Sequence, residues 1–80
     1  MASVLKAEKP KYHALGNWLR SKRQEKQLTM RQLGEALGCP HSTIGKIENN
    51  ERRLDVVEFI RYCSVLEVCP VEGLNQARAA

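Results

Sequence analysis

The stretch His41-Ser42-Thr43-Ile44-Gly45-Lys46-Ile47-Glu48-Asn49 concentrates the side chains best suited to recognising another molecule. On a helical wheel at about 100° per residue, Ile44 and Ile47 share one side, with Glu48 on its flank. Ser42, Lys46 and Asn49 share the opposite side, with Thr43 and Gly45 beside them, and His41 projects from the first turn. That outer face offers hydroxyl, imidazole and amide groups and one ammonium, and no large apolar side chain. Its chemistry is hydrogen bonding and charge pairing. A plain solvated helix face is the alternative. Gly45 in mid-helix costs about 1 kcal/mol relative to Ala, and close approach of the backbone to a partner is a physical reason for it.

Catalytic chemistry is poorly supplied. His13 and His41 have no acid or nucleophile at triad-like spacing. Cys39, Cys63 and Cys69 are odd in number and show no C-x-x-C spacing, and neither histidine completes a zinc set. They are expected to be buried free thiols in a reducing compartment. A redox role for Cys63 and Cys69 would need a disulfide that changes binding. No enzyme, cofactor or metal is expected.

The elements that position the outer face follow from local signals. Tyr12, Leu15 and Leu19 make a helical stripe that Arg23 continues, predicting a first helix from Tyr12 to about Lys26. Thr29-Met30-Arg31-Gln32 is a capping box, and Leu28 with Leu33 forms the accompanying hydrophobic staple. A second helix is therefore expected from Met30, burying Leu33, Ala36 and Leu37 and stopping at Gly38. Cys39-Pro40 opens a third helix that runs to about Asn49. Two short helices joined by a tight glycine-containing turn are a helix-turn-helix signature. Asn50 is expected in a left-handed conformation, before a polar Glu51-Arg52-Arg53 loop. Asp55 and Glu58 cap a fourth helix, whose buried stripe is expected to be Val56, Phe59, Ile60, Cys63 and Leu66. Pro70 opens a fifth, carrying Val71 and Leu74. The fold class is all-α, with five short helices.

Arg23 on an apolar stripe and Glu48 on the inner flank of the third helix explain each other. An unpaired buried charge is costly, so a largely buried ion pair is expected to lock the third helix onto the first. Two separate solvated charges are the alternative.

With 80 residues, the chain has room for one domain. It carries a net charge of +4, unevenly spread. Residues 1–53 hold 11 Lys and Arg against 5 Glu, and residues 54–80 hold 2 Arg against 4 acids. A basic first two-thirds suggests a polyanion-binding face. A B-DNA major groove admits one α-helix, and Lys46 can donate to guanine there. Residues 1–10 are expected to be a flexible basic arm, residues 11–76 the helix-turn-helix domain and residues 77–80 a tail. No apolar run approaches membrane length, and the start lacks an apolar signal core, so a cytoplasmic protein without membrane attachment is expected.

These residues resemble the Xre, or phage-repressor and Cro-like, helix-turn-helix family of bacterial transcriptional regulators. The resemblance covers about Leu15 to Leu74, with its core in LTMRQLGEALGCPHSTIGKIENNERRLDVVEF, residues 28–59. The register of Leu33, Gly38, Ile44, Ile47 and Glu48 matches the family frame, so it implies a compact lambda-repressor-like domain. It further implies base contacts from His41, Ser42 and Lys46, with Thr43 on a base or a phosphate. Phosphate contacts are implied for Thr29 and its backbone, Arg31, Asn49, Arg52 and Arg53. The Arg23–Glu48 pair has a counterpart in many members. Three positions depart: Met30 stands where glutamine commonly contacts the DNA backbone, Asn50 stands for a frequent glycine, and Glu67 replaces a glycine before the last helix.

The expected function is sequence-specific binding of double-stranded operator DNA by a homodimer on a palindromic site, with a repressor as the regulator type, nucleoid-associated when bound. Val65, Val68, Val71 and Leu74 are either the dimer surface or part of the monomer core. An antitoxin with a toxin partner keeps the fold and changes the task. A helical adaptor that binds only protein lacks the steep salt dependence of DNA binding.

Overall fold

The computed structural model describes residues 9–80, so most of the expected basic arm lies outside the described residues. Lys9 and Pro10 already belong to the first helix, α1 (Lys9–Glu25). Pro10 fits there because the first turn has no use for its missing N–H. Leu19 is fully buried, while Tyr12 and Leu15 are half-buried on the same stripe. The helix ends where Gln27 turns left-handed (φ 59°) and the Leu28 N–H donates to Arg23 O at 3.1 Å.

α2 (Met30–Leu37) begins with the full capping box: Thr29 Oγ1 accepts from the Gln32 N–H, and Gln32 Oε1 accepts from the Thr29 N–H. Gly38 closes it at φ 75°. Its inward stripe is Met30, Leu33, Gly34 and Leu37, spaced i, i+3, i+4 and i+7. Ala36 was expected in the core and is exposed, because it lies off that stripe.

α3 (His41–Glu48) is shorter than its sequence signals suggested. Pro40 sits before it as the N-cap with extended backbone, and Asn49 is the C-cap. Asn50 adopts φ 62°, as its type predicted. Ile44, Ile47 and Glu48 are buried.

α4 (Val56–Leu66) starts with the reciprocal Asp55–Glu58 capping bonds. Its buried stripe is Phe59, Tyr62, Cys63 and Leu66. Val56 and Ile60, expected inside, are 73% and 50% exposed. Apolar residues at 56, 57, 59, 60, 62, 63, 65 and 66 support two overlapping stripes, and only the neighbouring helices select one.

α5 (Pro70–Ala79) runs through most of the expected tail and lies against α1, where Lys11 Nζ donates to Ala80 O at 3.2 Å. Val65 and Val68 pack against the core. Val71 and Leu74 remain 59% and 54% exposed. Of the cysteines only Cys63 is buried; Cys39 is half-buried and Cys69 exposed. Burial pushes the Cys63 thiol up to about 11, which leaves it little thiolate for redox chemistry. No described helix is long and apolar enough to cross a membrane.

Candidate nucleic-acid interface

α3 is held from behind by one buried carboxylate. Arg23 reaches Glu48 with two nearly parallel bonds, Nε to Oε2 at 2.7 Å and Nη2 to Oε1 at 3.0 Å. This is the fork geometry that makes arginine–carboxylate pairs specific. The remaining amino group, Nη1, donates to Leu28 O at 2.8 Å. The same guanidinium therefore ties α1, the turn before α2, and α3. The Glu48 hydrogen bond raises the Arg23 pKa above its ordinary value against the opposing effect of burial. Below α3, the Tyr62 hydroxyl is buried with no hydrogen-bond partner among the described residues.

With Ile44, Ile47 and Glu48 turned inward, the opposite side of α3 faces solvent. His41, Ser42 and Lys46 are exposed, and Thr43 and Gly45 are half-buried. Among the described residues, no side-chain hydrogen bond or ion pair engages His41, Ser42, Thr43 or Lys46. Donors and acceptors left open on a rigidly backed helix are available to a partner. The α2–turn–α3 unit that presents them joins the fully capped α2 to α3 through Gly38, Cys39 and Pro40.

The profile of a helix-turn-helix family matches residues 19–74, most of the chain. An XRE-family-like protein from Pseudomonas syringae pv. tomato superposes with a TM-score of 0.82 at 33% identity, covering 99% of this chain and 96% of that one. The chain belongs to the Xre helix-turn-helix family. Membership carries the general class of DNA-binding transcriptional regulator. Two structures of the clp gene regulator ClgR from Corynebacterium glutamicum each give a TM-score of 0.79 at 26% identity. They cover 86% of this chain, and 73% and 90% of the respective ClgR chains. Comparison with curated proteins gives no significant match.

Within this Xre-type domain the expected phosphate-binding positions are unequal. Arg31 is exposed on the first turn of α2. The Thr29 backbone N–H is already spent on Gln32 Oε1, so that residue has only its hydroxyl proton to donate outward. Met30 packs against the core. Arg52 is clamped by Glu58, Nη2 to Oε2 at 2.8 Å and Nη1 to Oε1 at 3.3 Å. That hydrogen-bonded pairing raises the Arg52 guanidinium and lowers the Glu58 carboxyl from their ordinary values. Arg53 stacks over the Tyr12 ring, 5.2 Å from its centroid. Both arginines thus do internal work in fixing the 49–55 loop, while remaining exposed enough to meet a phosphate.

Several partners were missed from sequence. Arg20 bonds Glu48 and Asn49, and the Asn50 amide meets His13 Nδ1 at 3.0 Å. Lys26 pairs with Glu67 across the domain. For Arg20 a signal existed: it precedes Arg23 by three residues and so shares its helix face. Tyr12, His13, Asn49, Asn50, Arg52 and Arg53 together line a groove of about 260 Å³ between α1 and the loop after α3.

Proposed function

We propose that this protein is a transcriptional repressor that inserts α3 into the major groove of a palindromic operator as a homodimer. His41, Ser42, Thr43 and Lys46 read base edges, with Lys46 donating to guanine O6 and N7. Thr29, Arg31, Asn49, Arg52 and Arg53 fix the register through phosphates. The observation that carries this reading is the open outer face of α3, polar throughout, on a helix locked from behind by Arg23 and Glu48. Val71 and Leu74, exposed on α5, support a dimer contact; Val65 and Val68 belong to the protomer core. The working location is the cytoplasm, on the nucleoid when DNA is bound, and the domain runs no reaction of its own.

Selection from a random duplex pool tests this directly. The expected product is a two-fold site with half-site centres roughly 34 Å apart. Binding falls steeply as salt rises, because phosphate neutralisation releases counterions. Lys46→Ala weakens specific binding by about 1–3 kcal/mol and relaxes the preference at one base pair. A Lys46→Ala protein with unchanged base preference overturns the assignment of the reading face.

A further inference from the structure

Gly16, Arg20 and Arg23 recur at i, i+4 and i+7 along α1, so one face of that helix meets the C-terminal end of α3. A Cβ at Gly16 would lie 3.1 Å from Glu48 O and 3.2 Å from Ile47 O; the missing side chain lets the two helices approach closely. One turn further on, Arg20 reaches over the end of α3. Its Nε donates to Glu48 Oε1 at 3.3 Å, and its Nη2 donates to Asn49 Oδ1 at 2.6 Å.

An asparagine amide accepts at one end and donates at the other. A free surface asparagine can turn either end toward solvent. Arginine only donates, so the Arg20 contact commits Asn49 Oδ1 inward and leaves the amide NH2 at the opposite end. Among the described residues nothing accepts a hydrogen bond from that NH2. We propose that Arg20 is a positioning residue for DNA binding, holding the Asn49 amide with its donor end outward to receive a phosphate oxygen. The proposal rests on the DNA-binding reading above and names how one of its phosphate contacts is built.

The surroundings favour this role. Asn49 is the C-cap of α3, and its backbone N–H donates to Gly45 O at 2.9 Å, so the residue sits on a fixed backbone. The neighbouring Asn50 is committed elsewhere, to His13 on α1. Glu48 supplies one negative charge to two arginines, and Arg23 already occupies both carboxylate oxygens. Arg20 is thus only partly neutralised, and its side chain is 36% exposed beside Asn49. A rim of outward donors with residual positive charge suits a group that only accepts, as a phosphodiester does.

The test is a double-mutant cycle on Arg20→Met and Asn49→Ala, with binding measured on a mixed-sequence duplex of about three helical turns across a salt series. Each single variant is expected to lose about 3- to 10-fold in affinity, the net scale of one typical hydrogen bond. The double variant is expected to bind no more weakly than Asn49→Ala alone. The salt slope of Arg20→Met falls by well under the roughly 0.9 of a lost cationic phosphate contact, because the contact it sets is made by a neutral amide. An Arg20 loss that persists in the Asn49→Ala background, or a slope reduced by about 0.9, overturns the proposal and makes Arg20 a phosphate contact itself. In the free protein, NMR order parameters of the Asn49 side-chain amide are expected to be high and to drop in Arg20→Met and Arg20→Gln. An amide equally mobile in the wild type overturns the proposal even if a variant folds poorly. Wild-type protein that ignores duplex DNA at low salt sinks the DNA-binding reading and this proposal together; DNA binding with an additive cycle sinks only this one.

Discussion

Glu48→Ala is the perturbation that the structure makes most consequential for stability. Glu48 is 1% exposed and receives three guanidinium hydrogen bonds, two from Arg23 and one from Arg20. Removing the carboxylate leaves the Arg23 guanidinium buried without its counter-charge, with only Leu28 O still accepting from it. Breaking one partner of a buried pair typically costs about 3–5 kcal/mol. A domain of this length has a total stability of about 4–12 kcal/mol. The variant should therefore lose a large share of its stability, and its Tm should fall by more than about 10 °C. Urea unfolding followed by far-ultraviolet circular dichroism measures the loss from the shifted midpoint at unchanged slope. The double variant Arg23→Met, Glu48→Leu is the informative control. It replaces both buried charges with apolar volume and should recover most of the lost stability, since well-packed hydrophobic replacements of buried ion pairs are often neutral or better. A Glu48→Ala loss below about 1 kcal/mol would refute the claim that Glu48 locks α3 to α1.

Three further substitutions separate stability from binding. Gly45→Ala should stabilise the free domain by up to about 1 kcal/mol, because the added Cβ meets Met30 Sδ at an ordinary 3.7 Å and alanine favours the helix; the same variant should bind DNA more weakly, and unchanged binding would remove close backbone approach as the reason for the glycine. Tyr62→Phe should be neutral or stabilising by up to about 1 kcal/mol, since it deletes a buried hydroxyl that has no partner among the described residues, and a clear destabilisation in urea would show that the hydroxyl is satisfied. Glu67→Gly should raise the Tm by a few degrees, because residue 67 sits at φ 58° and its ion pair with Lys26 is exposed; a lowered Tm would mean the pair outweighs the backbone strain.

Legibility in the sequence tracked the range of the interaction. The Thr29–Gln32 and Asp55–Glu58 boxes close hydrogen bonds across three residues, so their partners can be named without a fold. The left-handed turns at Gly38 and Asn50 are likewise matters of local steric freedom. The polar character of the outer α3 face also followed from the wheel, because Ile44 and Ile47 had to turn inward. Local pattern failed in α4, where the apolar run allowed two stripes and the wrong one placed Val56 and Ile60 inside. It also gave no account of Arg52, whose clamp on Glu58 crosses the turn into the next helix.

The amino-acid order by itself determined the five helices of the described residues, the Thr29 and Asp55 caps and the composition of the recognition face, because each depends on hydrogen bonds or periodicity within a few neighbouring residues. Tertiary structure alone decided which face of α4 is buried, how Arg20 and Arg53 are tied down and which way the Asn49 amide points. Those outcomes depend on groups such as Arg20 and Asn49, 29 residues apart in the chain, and only the packing of α1 against α3 brings them within hydrogen-bonding distance.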